Sequence, residues 1–229
     1  MTLGSIASEV SLVAALTLSQ AQTPSCILAT NSTTAAALTE YKRGRFITAA
    51  QLYQQAAVSL KRCIQNHPNE LTVESQQRFG ELWMYAGEMR LENGYDSTAR
   101  GPLLQAKELF LDLRNGGTLR GTVLDEVLLD SHQVDSDLAR LDYSFFQKRG
   151  NVEARGGDFN AAIASWSRAA SLDANFNKRC RGEFQRVQIQ AAKEAQVRMV
   201  THNVTEAQAA VWFEKRESQL WISNSCNGP

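Results

Sequence analysis

Cys63 and His67 stand four residues apart, the spacing that places two metal ligands on one face of a helix. Pro68 follows at once and ends any helix there, and no third ligand lies near. Asp130, His132, Asp135 and Asp137 form a cluster of ionisable residues. A calcium loop needs a glycine at its sixth position, which this spacing lacks, so the stretch reads as a solvated loop between helices. The pairs Gly116-Gly117 and Gly156-Gly157 lack the Gly-Lys-Ser/Thr ending of a phosphate loop and read as helix stops. Neither G-x-S-x-G nor H-E-x-x-H occurs. No catalytic residue, metal ligand or cofactor is therefore assigned, and the chain is read as a non-enzyme. Asn31-Ser32-Thr33 and Asn203-Val204-Thr205 are glycosylation sequons that matter only in a eukaryotic secretory pathway.

Cys26, Cys63, Cys180 and Cys226 are far apart, and their spacing does not pair them. Val10–Leu18 is a short apolar run followed by Ser19-Gln20-Ala21, the small-x-small pattern of a signal-peptidase site. Residues 1–21 are accordingly expected to be an export signal and 22–31 a linker, which favours a periplasmic or extracellular location. Glu9 at the edge of the run and the lack of a preceding Lys or Arg argue the other way; without a signal the chain would be cytoplasmic. The run is shorter than the ~20 residues a membrane span needs, and no later stretch qualifies. Lys plus Arg and Asp plus Glu are both 24, so no net field points to nucleic acid.

The elements that must carry any function are helices. Ala, Leu, Gln, Glu and Arg dominate, Pro is scarce at 4 residues, and alternating strand patterns with Asn-Gly turns are absent. Apolar residues recur at helical spacing from residue 33 to about 222, interrupted at Gly44, Pro68, Gly94, Gly116 and Gly156. The spacing predicts about nine helices joined by short connections, with helices over roughly 118–129 and 134–155 counted separately. Short connections make neighbours antiparallel. Residues 223–229 read as a loose tail.

One segment carries a finer pattern. Phe146, Gly150, Gly157, Phe159, Ala162, Trp166, Ala169 and Leu172 follow G-x6-G-x-F-x2-A-x3-W-x2-A-x2-L counted from Gly150. Small residues suit the crossing of two helices, here Gly150 and Ala162, and large ones fill the flanks. Gly44, Phe46, Ala49, Tyr53 and Ala56, after Ala37, repeat the frame. Trp83, Gly87 and Ala99 begin a third copy, distorted where Gly101-Pro102 falls inside its second helix. The pattern resembles the tetratricopeptide repeat, a helix–turn–helix unit of ~34 residues. Its small alanines, Ala49, Ala99 and Ala162, lie 50 and 63 residues apart, so any stack is irregular.

The resemblance implies an all-α fold of stacked antiparallel hairpins, an α-solenoid over 32–222. Repeats would lie near 33–66, 80–113 and 143–176, with capping helices over 178–222. It implies a scaffold that binds a protein or peptide along its first helices, where Met84, Glu88, Leu91, Gln147, Asn151 and Ala154 project. The family members that clamp a C-terminal carboxylate use Lys, Arg and Asn, and only Asn151 is similar here. Alternatives are a structural envelope protein that forms homo-oligomers through aromatics near Trp212 and Trp221, or a helical bundle that holds a small ligand or acts as an enzyme.

Overall fold

The computed structural model describes residues 25–94, 96–117, 119–173 and 179–222. The expected signal at 1–21, the tail at 223–229, Cys226 and the Cys180 side chain lie outside the described residues. Those residues form eight α-helices, one 3-10 turn and no strand. They are α1 (Ser25–Lys42), α2 (Phe46–Asn66), α3 (Val73–Glu92), α4 (Asp96–Asn115), α5 (Thr122–Arg155), α6 (Phe159–Asp173), α7 (Arg179–His202) and α8 (Glu206–Ile222). Each packs chiefly on its neighbours in sequence. No described helix is long and apolar enough to cross a membrane.

The local signals explain the starts. Thr72 and Ser75 exchange side-chain and backbone hydrogen bonds in a capping box before α3. Asp158 accepts from the Ala161 amide at 3.1 Å to open α6, and Thr205 with Gln208 does the same for α8. Gly44 and Gly157 adopt φ of 72° and 84°, the left-handed turn that lets a helix reverse. Ser25–Asn31, read from sequence as linker, is the first part of α1. A Cys26–Cys63 disulfide ties it to α2, and Ser25 Oγ donates to Glu70 Oε1 at 2.9 Å.

The count of eight corrects the expected nine. Asp130–Gln133 does not form a loop; α5 runs through it for 34 residues, about 51 Å at 1.5 Å per residue. Neither Gly nor Pro occurs between Thr122 and Arg149 to interrupt it, and Val127 and Val134 bury one face on either side of the polar run. Pro102 does not start α4 either; it sits buried within it. Its missing N–H would have bonded the Thr98 carbonyl, which instead accepts from Arg90 Nη1 at 2.9 Å. Arg90 Nη2 also donates to Gln54 Oε1 at 2.6 Å, so one guanidinium joins α2, α3 and α4.

Two apolar cores result. The first gathers Ala37, Ala49, Tyr53, Ala56, Trp83 and Ala99 and ends at Leu141. The second begins at Ala154 and holds Phe159, Ala162, Trp166, Phe213 and alanines of α7 and α8. Ala169 is also buried, whereas Phe46 is half-buried beside Tyr41. Glycines admit close helix approach at three places. A Cβ on Gly80 would meet Phe110, one on Gly87 would meet Leu103, and one on Gly150 would meet Trp166, all within 2.6 Å. The three atoms nearest such a Gly150 Cβ all belong to the Trp166 ring, so the crossing expected as small against small is a glycine slot filled by an indole.

Candidate functional site

Of the six residues projected onto a groove, Met84, Leu91 and Ala154 are buried in the cores. Gln147 and Asn151 are half-buried and spend their amides inside the protein. Asn151 Oδ1 accepts from Trp166 Nε1 at 3.2 Å and from Gln188 Nε2 at 3.1 Å. Gln147 Nε2 donates to Gln188 Oε1 at 2.7 Å, and its own Oε1 accepts from Gln185 at 3.4 Å. Gln185 and Gln188 are themselves fully covered, so this amide network binds α5, α6 and α7 together.

Glu88, the sixth, lies in a carboxylate seam between α3 and α5. Burial, then the charges of Asp137, Asp130 and Glu92, push its carboxyl up to about 7. Burial, then Glu81 and Glu126, push Asp130 up to about 6. Burial also raises Asp137, although a hydrogen bond from Gln133 opposes it. Burial followed by the same field pushes Tyr85 up to about 12. Gln77 Nε2 donates to both Glu81 and Glu126 at 3.2 Å and so draws the two helices together. The Asp130–Asp137 run does not converge on one point. Asp135 turns to Lys107 of α4 at 2.7 Å, and His132 is exposed. Cys63 is consumed by its disulfide, and His67 caps the end of α2. Among the described residues no group of three His, Cys, Asp or Glu is placed to hold a metal.

An open feature lies elsewhere. On α5 the first core ends at Leu141 and the second begins at Ala154, about 20 Å further along the helix. Between them only Gly150 is buried. A groove of about 880 Å³ opens over this stretch. Gly94, Ser97 and Arg100, at and just before the start of α4, line it together with Arg168 of α6. Most of the lining comes from α5: Leu141, Asp142, Phe145, Phe146, Lys148, Arg149 and Val152. Phe145 and Phe146 meet edge to face at 5.3 Å. Phe145 is 56% exposed and Val152 69%, against the burial normal for such side chains. Phe146, expected to pack within a repeat, is half-buried and lines this groove.

Much of the groove's charge is paired within the protein. Four of its lining residues are cationic and one, Asp142, is anionic. Asp142 is held by Arg100 at 2.5 Å, and Arg149 Nε donates to Glu153 at 2.7 Å. Sequence reasoning passed over Phe145, Val152, Arg100, Lys148, Arg149 and Arg168. The available signal was the 63-residue interval, too long for one repeat to cover the α5 surface with the next.

Comparison with family models, curated proteins and solved structures found no match.

Proposed function

We propose that this chain is an interaction scaffold of the tetratricopeptide-repeat kind that holds a segment of another protein in the groove over α5. The exposed Phe145 and Val152, set on a rigid helix between two closed cores, support this reading above any other observation. Apolar side chains left in water on an ordered element gain free energy when a partner covers them, at roughly 25 cal/mol per Å². Sites built on helices also spend little of that gain on ordering themselves. The Gln147, Asn151 and Gln188 amides are hydrogen-bonded to one another within the protein, which fits a structural role for them and a binding role for the molecule.

The Cys26–Cys63 disulfide supports an oxidising compartment, in keeping with the export signal expected at 1–21. Alkylation of the native protein followed by mass measurement would show both thiols blocked only after reduction.

The binding role is tested by affinity capture from the native compartment with the full chain and with Phe145→Asp/Val152→Asp. A specific partner retained by the wild type is expected to be lost with the variant, while the unfolding midpoint stays within about 0.5 kcal/mol of wild type because both side chains are exposed. An identical set of captured proteins from the two chains would refute the groove.

A further inference from the structure

We propose that the Cys26–Cys63 disulfide is a redox latch. While it stands, α1 stays docked on α2; a dithiol that reduces it lets α1 come away while α2 to α8 keep their fold. The latch is independent of the groove over α5.

The first ground is how little else holds α1. It buries Cys26, Thr30 and Ala37, whereas α2 buries six residues and α3 ten. Leu28, Leu38 and Tyr41 are left exposed. Three of its threonines bond inward: Thr30, Thr34 and Thr39 donate to the carbonyls of Ile27, Thr30 and Ala35 of the same helix. With four threonines, two serines and Asn31 among 18 residues, α1 is also a poor helix on its own. Besides the disulfide, Glu70 ties its N-terminal end, accepting from Ser25 Oγ at 2.9 Å and from the Cys26 amide at 3.4 Å. The first of these bonds is exposed to water and the second is long.

The second ground is where the bond lies. Cys26 is the second residue of α1, and Cys63 lies in the last turn of α2. The disulfide closes the open end of a hairpin whose other end is the turn at Gly44. Cutting it turns a closed ring into an arm hinged at one end, and side-chain packing alone must then hold that arm against its gain in chain entropy.

The remaining helices do not need α1. It rests on α2, with a minor contact on α3. Tyr53 packs on Tyr85 at 5.3 Å and Gln54 accepts from Arg90 at 2.6 Å, so α2 and α3 are joined without it. Release of α1 is a local opening at one end of the stack.

The exchange enters at Cys63, which is half-buried, whereas Cys26 is fully covered. A thiolate of the dithiol attacks Cys63 Sγ, the Sγ–Sγ bond breaks and the Cys26 sulfur leaves. The reductant's second thiol then attacks the mixed disulfide and frees Cys63. Two electrons pass, the two thiol protons end on Cys26 and Cys63, and the dithiol becomes a disulfide. An oxidising compartment keeps the latch closed.

The test is hydrogen exchange of the full-length protein, read by mass spectrometry in the oxidised form, after dithiothreitol, and for Cys26→Ser/Cys63→Ser. In the reduced chain and in the variant, amides of residues 27–42 are expected to lose at least about a hundredfold in protection, while those of α3 to α8 stay within about threefold. The α1 amides of the variant should not respond to dithiothreitol, and reoxidation of the wild type should restore them. Unchanged α1 protection in a chain whose Cys26 and Cys63 are shown by alkylation to be free overturns the latch. Protection lost through α3 and α4 as well also overturns it, because the disulfide then holds the whole first core. A bond that dithiothreitol cuts only in urea refutes it too, since no dithiol then reaches Cys63 in the folded protein.

Discussion

Gly150→Ala is the sharpest probe of how the C-terminal half is held together. The new Cβ would lie 2.5 Å from Trp166 Nε1 and 2.6 Å from its Cδ1, where ordinary contacts begin at 3.4 Å. About 1 Å must therefore be found. The indole cannot supply it freely: it is fully buried, stacked on Phe213 at 5.6 Å, and its Nε1 donates to Asn151 at 3.2 Å. Alanine's helix propensity returns about 1 kcal/mol. Overpacking against a rigid ring costs about 2–3 kcal/mol, and displacing the indole forfeits a hydrogen bond worth about 1. The net expectation is a loss of about 2–3 kcal/mol. Urea unfolding followed by far-ultraviolet circular dichroism measures it, and the loss falls on the C-terminal transition if the two cores melt separately. Gly101→Ala is the internal control. It lies exposed in α4 with nothing within 4 Å of a would-be Cβ, so the same chemical change should stabilise by about 0.5–1 kcal/mol. Gly150→Ala matching wild type, or keeping its full penalty in a Trp166→Leu background, would refute the slot.

Three further perturbations read other joints of the fold. The helix α1 buries only Cys26, Thr30 and Ala37, so its docking depends on the disulfide; with the cysteines 37 positions apart in sequence, Cys26→Ala/Cys63→Ala should cost about 4 kcal/mol in the chain-entropy account. A thermal midpoint indifferent to dithiothreitol would contradict it. Because the folded state raises Glu88 from 4.5 to about 7, it binds that proton more tightly than the unfolded chain does. Stability from this group is therefore full below about pH 4.5 and is lost as pH climbs through 7, so Glu88→Gln should raise the urea midpoint at pH 8 and leave it nearly unchanged at pH 4. Arg90→Met strips the Thr98 carbonyl of its donor and should cost about 1–2 kcal/mol. Adding Pro102→Ala restores a backbone donor to that carbonyl, and a double-mutant cycle showing no coupling would dismiss the compensation.

Helix positions were readable because their punctuation is local. Gly44, Gly94 and Gly157 turn where the sequence says, and Asp158 and Thr205 cap as their types suggest. The single α5 was not readable as one helix, since Asp130–Gln133 looks like a polar loop until Val127 and Val134 are seen to bury on both sides of it. Of the residues in the repeat frame, Ala49, Ala56, Ala99, Ala162 and Trp166 are buried and Phe46 and Phe146 only half-buried, while Met84, Leu91 and Ala154, projected onto a groove, are covered. Whether a first-helix residue faces solvent depends on how the next hairpin is seated, and that is a tertiary quantity. Gln147 and Asn151 show the same limit: polar residues read as a surface are covered by α7, whose Gln188 completes their hydrogen bonds.

The groove follows from the length of α5. In an even stack each hairpin seats against the one before it, and neighbouring second helices close the gap between them. Here α5 is long enough to serve two partners in succession. Arg100 meets Asp142 and Lys107 meets Asp135, so α4 lies antiparallel along the first part of α5. Glu153 meets Ser165 and Gly150 meets Trp166, so α6 lies along the last part. The two second helices make no extensive contact with each other. The extra length of α5 thus separates them, and the surface between, where a closer α6 would have covered Phe145, is left facing water. A helix long enough to carry two partners in succession keeps both cores closed and leaves an open groove between them, where the proposed partner would lie.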